Sequence, residues 1–97
     1  EHHGYSLETA LHFMRAARVG ASDILARPAK GEFMRIGRML EGGAQGVLYP
    51  RCESAEEAAE LVRAAKFAPL GRRGFDGAGP DAPYCTAPVR EYVEHCN

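Results

Sequence analysis

Three stretches of the chain carry apolar side chains at helical spacing and predict amphipathic helices. The first has apolar residues at i, i+3, i+4, i+7 and i+10, and it begins after Ser6, which is a favourable N-cap residue. The third begins at a capping box, in which the Ser54 hydroxyl and the Glu57 carboxylate satisfy amide donors at the helix start. The apolar positions of the three helices are Leu7, Ala10, Leu11, Met14 and Ala17, then Phe33, Ile36 and Leu40, then Ala58, Leu61, Val62 and Ala65.

Two short apolar runs lie between these helices and predict buried strands. Residues 23–27 end at Pro28 and residues 46–49 end at Pro50, and a proline interrupts the hydrogen bonding of a strand within a sheet. Short apolar strands that alternate with helices favour a parallel sheet covered by helices, since parallel strands need crossover connections. We therefore expect an α/β fold built from a repeated unit of strand, loop and helix.

The length of this repeat predicts a further strand that ends at His2. Arg27 and Tyr49 are 22 residues apart, and His2 and Arg27 are 25 residues apart. Three parallel strands cannot close a sheet and bury both of its faces, so the pattern favours a segment of a (β/α)8 barrel over a complete domain. A small doubly wound sheet is the alternative architecture.

The regular pattern ends after the third helix, in the glycine- and proline-rich stretch PLGRRGFDGAGPDAP at residues 69–83. We expect a long flexible loop near the rim of a site, followed by a short helix that carries Val89, Tyr92 and Val93. Within the loop, the GRRGFDG stretch places glycines beside two arginines. Glycines let backbone amides approach an anion closely, so this combination is typical of an anion-binding loop. The stretch matches neither the P-loop nor the dinucleotide-binding fingerprint.

Composition excludes several classes of partner. The content of 45% hydrophobic and 26% charged residues is typical of an ordinary globular protein. The formal charge of -1 provides no electrostatic attraction for nucleic acid or an anionic membrane. No apolar run approaches the about 20 residues that cross a bilayer. Cys52, Cys85 and Cys96 form no C-x-x-C pair, which favours a reducing, cytoplasmic location over a disulfide framework or a zinc ribbon.

Charged side chains mark one rim of the predicted sheet. His2, Arg27 and the Pro50–Arg51 turn emerge at the carboxyl ends of parallel strands, which lie about 4.8 Å apart, so a histidine and an arginine there can reach one small ligand. The alternative is that Arg27 is a solvated charge. The histidines and Glu1 have no recognised metal-ligand spacing. The charges of the third helix are expected on its solvated face: Glu56, Glu57, Glu60 and Arg63.

Four segments in order carry a family resemblance: EHHGYSLETA at residues 1–10, LARP at residues 25–28, RMLEGGAQGVLYPRCESAEEAAELVRAAKFAPLGRRGFDG at residues 38–77 and EYVEHCN at residues 91–97. With these four segments in this order, the chain resembles the HpcH/HpaI aldolase family, which comprises the metal-dependent class II pyruvate aldolases. The resemblance extends over essentially all 97 residues. It implies one segment, residues 1–97, of a (β/α)8 TIM barrel, incomplete at both ends. The segment would run from the end of barrel strand 2 through the helix after strand 4, with the long loop and the short helix.

The resemblance also implies site residues. His2 corresponds to the catalytic histidine after barrel strand 2, and Arg27 to the arginine at the end of strand 3 that holds the carboxylate and keto oxygen of pyruvate. The acidic partner of the histidine would precede Glu1, and the Glu and Asp ligands of a divalent metal ion (Mg, Mn or Co) would lie beyond Asn97, so this span holds no metal ligand. His3 and the PYCTAP stretch depart from the family pattern, which affects the side of the site that meets the aldehyde.

The implied function is that of a carbon–carbon lyase. Such an enzyme cleaves a 4-hydroxy-2-oxo acid reversibly to pyruvate and an aldehyde through a metal-stabilised pyruvate enolate, so its partners are small molecules. The resemblance further implies a homohexamer, and we expect the isolated segment to be inactive. The alternative function is a non-catalytic α/β module that binds an anionic ligand or a partner through the GRRGFDG loop.

Overall fold

The computed structural model describes residues 3–97, and this part of the chain contains four α-helices and two short strands. In chain order the elements are α1 (Leu7–Val19), β1 (Leu25–Ala26), α2 (Phe33–Glu41), β2 (Gly46–Val47), α3 (Ala55–Ala65), one turn of 3-10 helix (Pro83–Cys85) and α4 (Val89–Cys96). The three amphipathic helices and the short fourth helix are confirmed. The strand predicted to end at His2 lies outside the described residues. Between residues 3 and 97, each helix is too short or too polar to cross a bilayer.

Two helices begin at the caps that the sequence predicts. The Ser6 hydroxyl accepts a hydrogen bond from the Thr9 amide at 3.1 Å, and the Ser54 hydroxyl accepts one from the Glu57 amide at 3.1 Å. The Glu57 carboxylate reaches back and accepts a hydrogen bond from the Glu53 amide at 2.9 Å, one residue before the cap. Each cap satisfies an amide that the helix leaves without a partner, a contribution of about 1 kcal/mol.

The two strands are parallel neighbours, as predicted, with residues 25–26 paired to residues 46–47. This ladder is shorter than the two apolar runs. The chain turns out of the sheet at Pro28 and Pro50, and a proline has no amide with which to continue the ladder. Because the strands are parallel, their carboxyl ends and the loops that follow them meet at one edge of the sheet.

Within residues 3–97, helices cover one face of this sheet and leave the other face open. Ala26 is 7% exposed and belongs to a core cluster with Met14 of α1 and Met39 of α2. On the opposite face, Leu25 is 71% exposed and Leu48 is 56% exposed. The alternation follows from the pleat, which directs successive side chains to opposite faces. The predicted burial of the strands therefore holds for one face only.

We expect the isolated 97-residue chain to self-associate, because Leu25 and Leu48 leave apolar sheet surface in water. Sedimentation velocity over a range of concentrations measures this association, and replacing both leucines by serine should weaken it. Val19→Ser is the matched control, since Val19 is 91% exposed at the end of α1 rather than on the sheet. A sharp two-state melting transition of a monomer, independent of concentration, would contradict the prediction.

A second core forms where the sequence predicts a flexible loop. Phe67, Ala82 and Tyr92 are buried in one cluster. The Arg73 side chain is 4% exposed, forms an ion pair with Asp81 at 2.6 Å, and lies with its Cζ 4.6 Å from the centroid of the Phe67 ring. The stretch thus packs against α4, because it supplies apolar and charged partners for Tyr92.

Candidate functional site

The predicted rim residues of the described chain gather at one edge of the sheet. Arg27 directly follows β1, and Pro50 and Arg51 follow β2 within four residues. His2, the predicted catalytic histidine, lies outside the described residues, so its position relative to Arg27 stays a prediction. The residues that come after it, from His3 onward, are described.

An open cavity of about 780 Å³ connects Arg27 with the segment that follows His2. It runs along β1 between α1 and α2, and its lining includes residues 4–6, Arg27, Glu32, and Phe13 and Met14 of α1. Small-molecule sites commonly have this size and this combination of apolar side chains with a few polar groups. Residues 4–6 and Arg27 thus line one cavity.

Lys30, in the loop after β1, is bound by the loop after β2. Its Nζ donates hydrogen bonds to the Arg51 carbonyl at 2.9 Å and to Glu53 Oε2 at 2.6 Å, and it lies 3.5 Å from Glu57 Oε1. The hydrogen bond to Glu53, assisted by the charges of Glu53 and Glu57, raises the pKa of Lys30. Lys30 is therefore a cation at neutral pH, and its ammonium group is occupied within the chain.

Tyr49 makes a second link between the same two loops. Its Oη donates to Glu57 Oε1 at 3.0 Å and accepts a hydrogen bond from the Gly31 amide at 2.9 Å, while its ring stacks on Phe33 with centroids 5.5 Å apart. Burial raises the pKa of Tyr49, so the phenol keeps the proton that it donates. The hydrogen bond from the Glu53 amide lowers the pKa of Glu57, which stays a carboxylate that accepts it.

Sequence reasoning missed this network. It assigned Glu57 to a helix cap and otherwise to solvated surface, and it gave Lys30 and Tyr49 no role. The capping box was the available signal, since it places the Glu57 carboxylate at the first turn of α3, at the same edge of the sheet as Arg27.

The GRRGFDG stretch is folded onto the carboxyl end of α3. The backbone amides of residues 71–73 donate to carbonyls of residues 63–67 at distances of 2.7 to 2.9 Å. Both arginines are paired, one with Glu60 and the other with Asp81. The amides of residues 71–73 and both guanidinium groups are thus engaged within the chain, which does not favour the anion-binding alternative.

We expect Asp81→Ala to lower the free energy of unfolding by about 3–5 kcal/mol, because it leaves the buried guanidinium of Arg73 without its carboxylate partner. Urea denaturation of the protein measures the loss. Glu94→Ala is the control, since it removes only the exposed ion pair with Arg90 and should change stability by at most about 0.5 kcal/mol. Equal, small effects of the two substitutions would show that the Arg73–Asp81 pair does not stabilise the loop.

Metal-ligand side chains do not converge in the part of the chain that the structure describes, since residues 3–97 contain no group of three or more His, Cys, Asp or Glu side chains placed to hold an ion. His3 stacks on Tyr5 with ring centroids 5.4 Å apart, and His12 is exposed on α1. The described residues do not themselves fit a metal site. The prediction that the ligands lie beyond Asn97 stays a prediction.

Similarity to known proteins extends over the whole chain, although no protein-family model matches it. The chain is 32% identical over 97 residues to the 2-keto-3-deoxy-L-rhamnonate aldolase of Klebsiella pneumoniae, covering 100% of this chain and 36% of that protein. It is 40% identical over 74 residues to the hydroxypyruvate/pyruvate aldolase of Roseobacter denitrificans, covering 76% of this chain and 29% of the relative. The crystal structure of an HpcH/HpaI aldolase from Desulfitobacterium hafniense matches with a TM-score of 0.81 and 31% identity, over 96% of this chain and 36% of that one. The chain thus spans about a third of the length of these relatives.

Proposed function

The chain belongs to the HpcH/HpaI aldolase family, and we propose that it is a segment of a (β/α)8-barrel enzyme that cleaves a 4-hydroxy-2-oxo acid to pyruvate and an aldehyde. In this proposal residues 1–97 run from the end of barrel strand 2 through the helix after strand 4, with the following loop and α4. The observation that supports the proposal is the position of Arg27 directly after β1, at the edge of the sheet where the carboxyl ends of the two parallel strands meet, in a chain that is 32% identical to an aldolase over its whole length.

Arg27 is proposed to hold the 2-oxo acid. Its guanidinium is a planar cation with parallel N–H donors, which match the carboxylate and keto oxygens of pyruvate. When the C3–C4 bond breaks, its electron pair leaves negative charge on the keto oxygen of the pyruvate enolate. Donors aimed at that oxygen stabilise the transition state more than the bound substrate, and this difference increases kcat.

His2 is proposed as the general base. A neutral imidazole, with an ordinary pKa of about 6.5, can take the proton of the C4 hydroxyl at neutral pH. The O–H electron pair then forms the aldehyde C=O bond as C3 separates from C4, and the enolate afterwards gains a proton at C3 to become pyruvate. In the condensation direction the imidazolium returns its proton to the new hydroxyl oxygen.

The divalent metal ion that the family resemblance implies would be held by residues outside the described part of the chain, so the steps given for Arg27 and His2 do not pass through it. Its identity (Mg, Mn or Co), the homohexamer and the cytoplasmic location stay predictions from the resemblance and from composition. The aldehyde partner is not specified by the residues of this segment.

Exchange of the pyruvate methyl protons with deuterium from the solvent tests the proposal without knowledge of the aldehyde. The full-length protein that carries this chain is incubated with pyruvate in deuterium oxide, and proton NMR follows the methyl signal. We expect the signal to disappear, because enolate formation removes a C3 proton, and we expect a chelator to stop the exchange until a divalent ion is added. The absence of exchange with every divalent ion would contradict the aldolase function, and full exchange in excess chelator would contradict metal dependence.

A further inference from the structure

The backbone that carries Arg27 is held on both sides. Before it, the amide of Leu48, the residue directly after the neighbouring strand, donates to the Ala26 carbonyl at 2.9 Å. After it, Pro28 is among the most completely buried side chains of the described residues. Residues 29–32 complete the loop between this fixed backbone and α2.

The rest of the loop is held by Glu32, whose carboxylate accepts a hydrogen bond from the Ala29 amide at 3.2 Å, and by contacts with the loop after β2. Lys30 binds the carbonyl of Arg51, whose φ of +48° lies in the left-handed region that residues other than glycine rarely adopt. Gly31, with a φ of +85°, directs its amide to Tyr49 Oη. A positive φ at a residue other than glycine is strained and persists only where the surrounding contacts maintain it, and the bond from Lys30 to the Arg51 carbonyl is one such contact.

We infer that Lys30 and Tyr49 are positioning residues for the 2-oxo acid site: they tie the loop after β1 to the loop after β2 and so set the place of the Arg27 guanidinium. The inference rests on the proposed function of Arg27. Neither side chain contacts the substrate in this role. The Lys30 ammonium is engaged by the Arg51 carbonyl and by Glu53, and the Tyr49 hydroxyl is engaged by Gly31 and Glu57.

The occupied ammonium also distinguishes Lys30 from a lysine that forms a Schiff base. Such a lysine must be neutral to attack a carbonyl, whereas Lys30 is a cation held between Glu53 and Glu57. We therefore expect borohydride, added to the full-length protein with pyruvate, to attach no pyruvate to Lys30. Trapping at Lys30 would overturn the inference, because the residue would then be a nucleophile.

A double-mutant cycle tests whether Lys30 acts through Arg27. In the full-length protein, with deuterium exchange of pyruvate as the readout, Lys30→Met should raise the KM for pyruvate about tenfold, since a small displacement of a binding group costs much of its effect. Tyr49→Phe keeps the ring that stacks on Phe33 and removes only the hydroxyl, so it should raise the KM in the same direction. Lys30→Met added to Arg27→Ala should change the KM by less than about twofold, because there is no guanidinium left to position.

Arg90→Met is the matched control, since it removes an ion pair on the surface of α4 whose arginine side chain is 89% exposed, and it should leave the KM unchanged. Thermal melting of each variant reports folding, and Tyr49→Phe supplies the test if Lys30→Met does not fold. Equal increases in KM with and without Arg27, or no increase while Arg27→Ala raises the KM, would overturn the inference. If Arg27→Ala leaves both the kcat and the KM of the exchange unchanged, the proposed role of Arg27 fails, and the inference fails with it; if it lowers the kcat alone, only the inference fails.

Discussion

His2→Ala in the full-length enzyme is expected to lower the kcat of aldol cleavage by about 10²- to 10⁴-fold and to leave oxaloacetate decarboxylation within about tenfold of its original rate. Aldol cleavage needs a base for the C4 hydroxyl proton. Decarboxylation reaches the same enolate by losing CO2 and has no such proton to remove. The measurement is kcat/KM for both reactions at saturating divalent ion, with folding checked by circular dichroism.

His12→Ala is the control for this experiment, because His12 is an exposed histidine of α1 and should leave both reactions within about twofold. Equal losses for His2→Ala in the two reactions would mean that His2 positions the substrate or the metal rather than moving a proton. The ratio of the two activities therefore identifies the role of His2 even if the variant contains less correctly folded protein, because misfolding lowers both activities equally.

Arg27→Ala is expected to lower kcat/KM for both reactions by about 10²- to 10³-fold, because both transition states place negative charge on the oxygens that Arg27 is proposed to contact. Arg27→Lys should recover only part of this loss, since an ammonium group cannot reproduce the paired donors of a guanidinium. Steady-state kinetics of the two variants in both reactions measure the effect.

Arg90→Ala provides the comparison, since it also removes one positive charge, but from the exposed surface of α4. Losses in only one of the two reactions for Arg27→Ala would place the arginine away from the shared enolate. Unchanged kinetics would show that the correspondence between Arg27 and the family's arginine is wrong.

The helices and the direction of the sheet were predictable because local features encode them. Apolar spacing and the Ser6 and Ser54 caps act within a few residues, and the structure has helices that start directly after both caps. Strand–helix alternation requires parallel strands, and Pro28 marks where the first of them ends. Arg27 was therefore expected at the carboxyl edge of the sheet before any tertiary contact was known, and the structure has it there.

The partners and burial of individual charged side chains were not predictable in this way. Lys30 meets Glu53 across 23 residues of sequence, a pairing that exists because β1 and β2 lie in parallel register and their loops adjoin. Arg73 appeared available to an anion in the sequence, but it is buried against Asp81 and Phe67. A charged side chain has the same local pattern whether water or an opposite charge surrounds it. Its partner, and with it the difference between a solvated arginine and a buried one, depends on contacts that arise only when distant segments pack together.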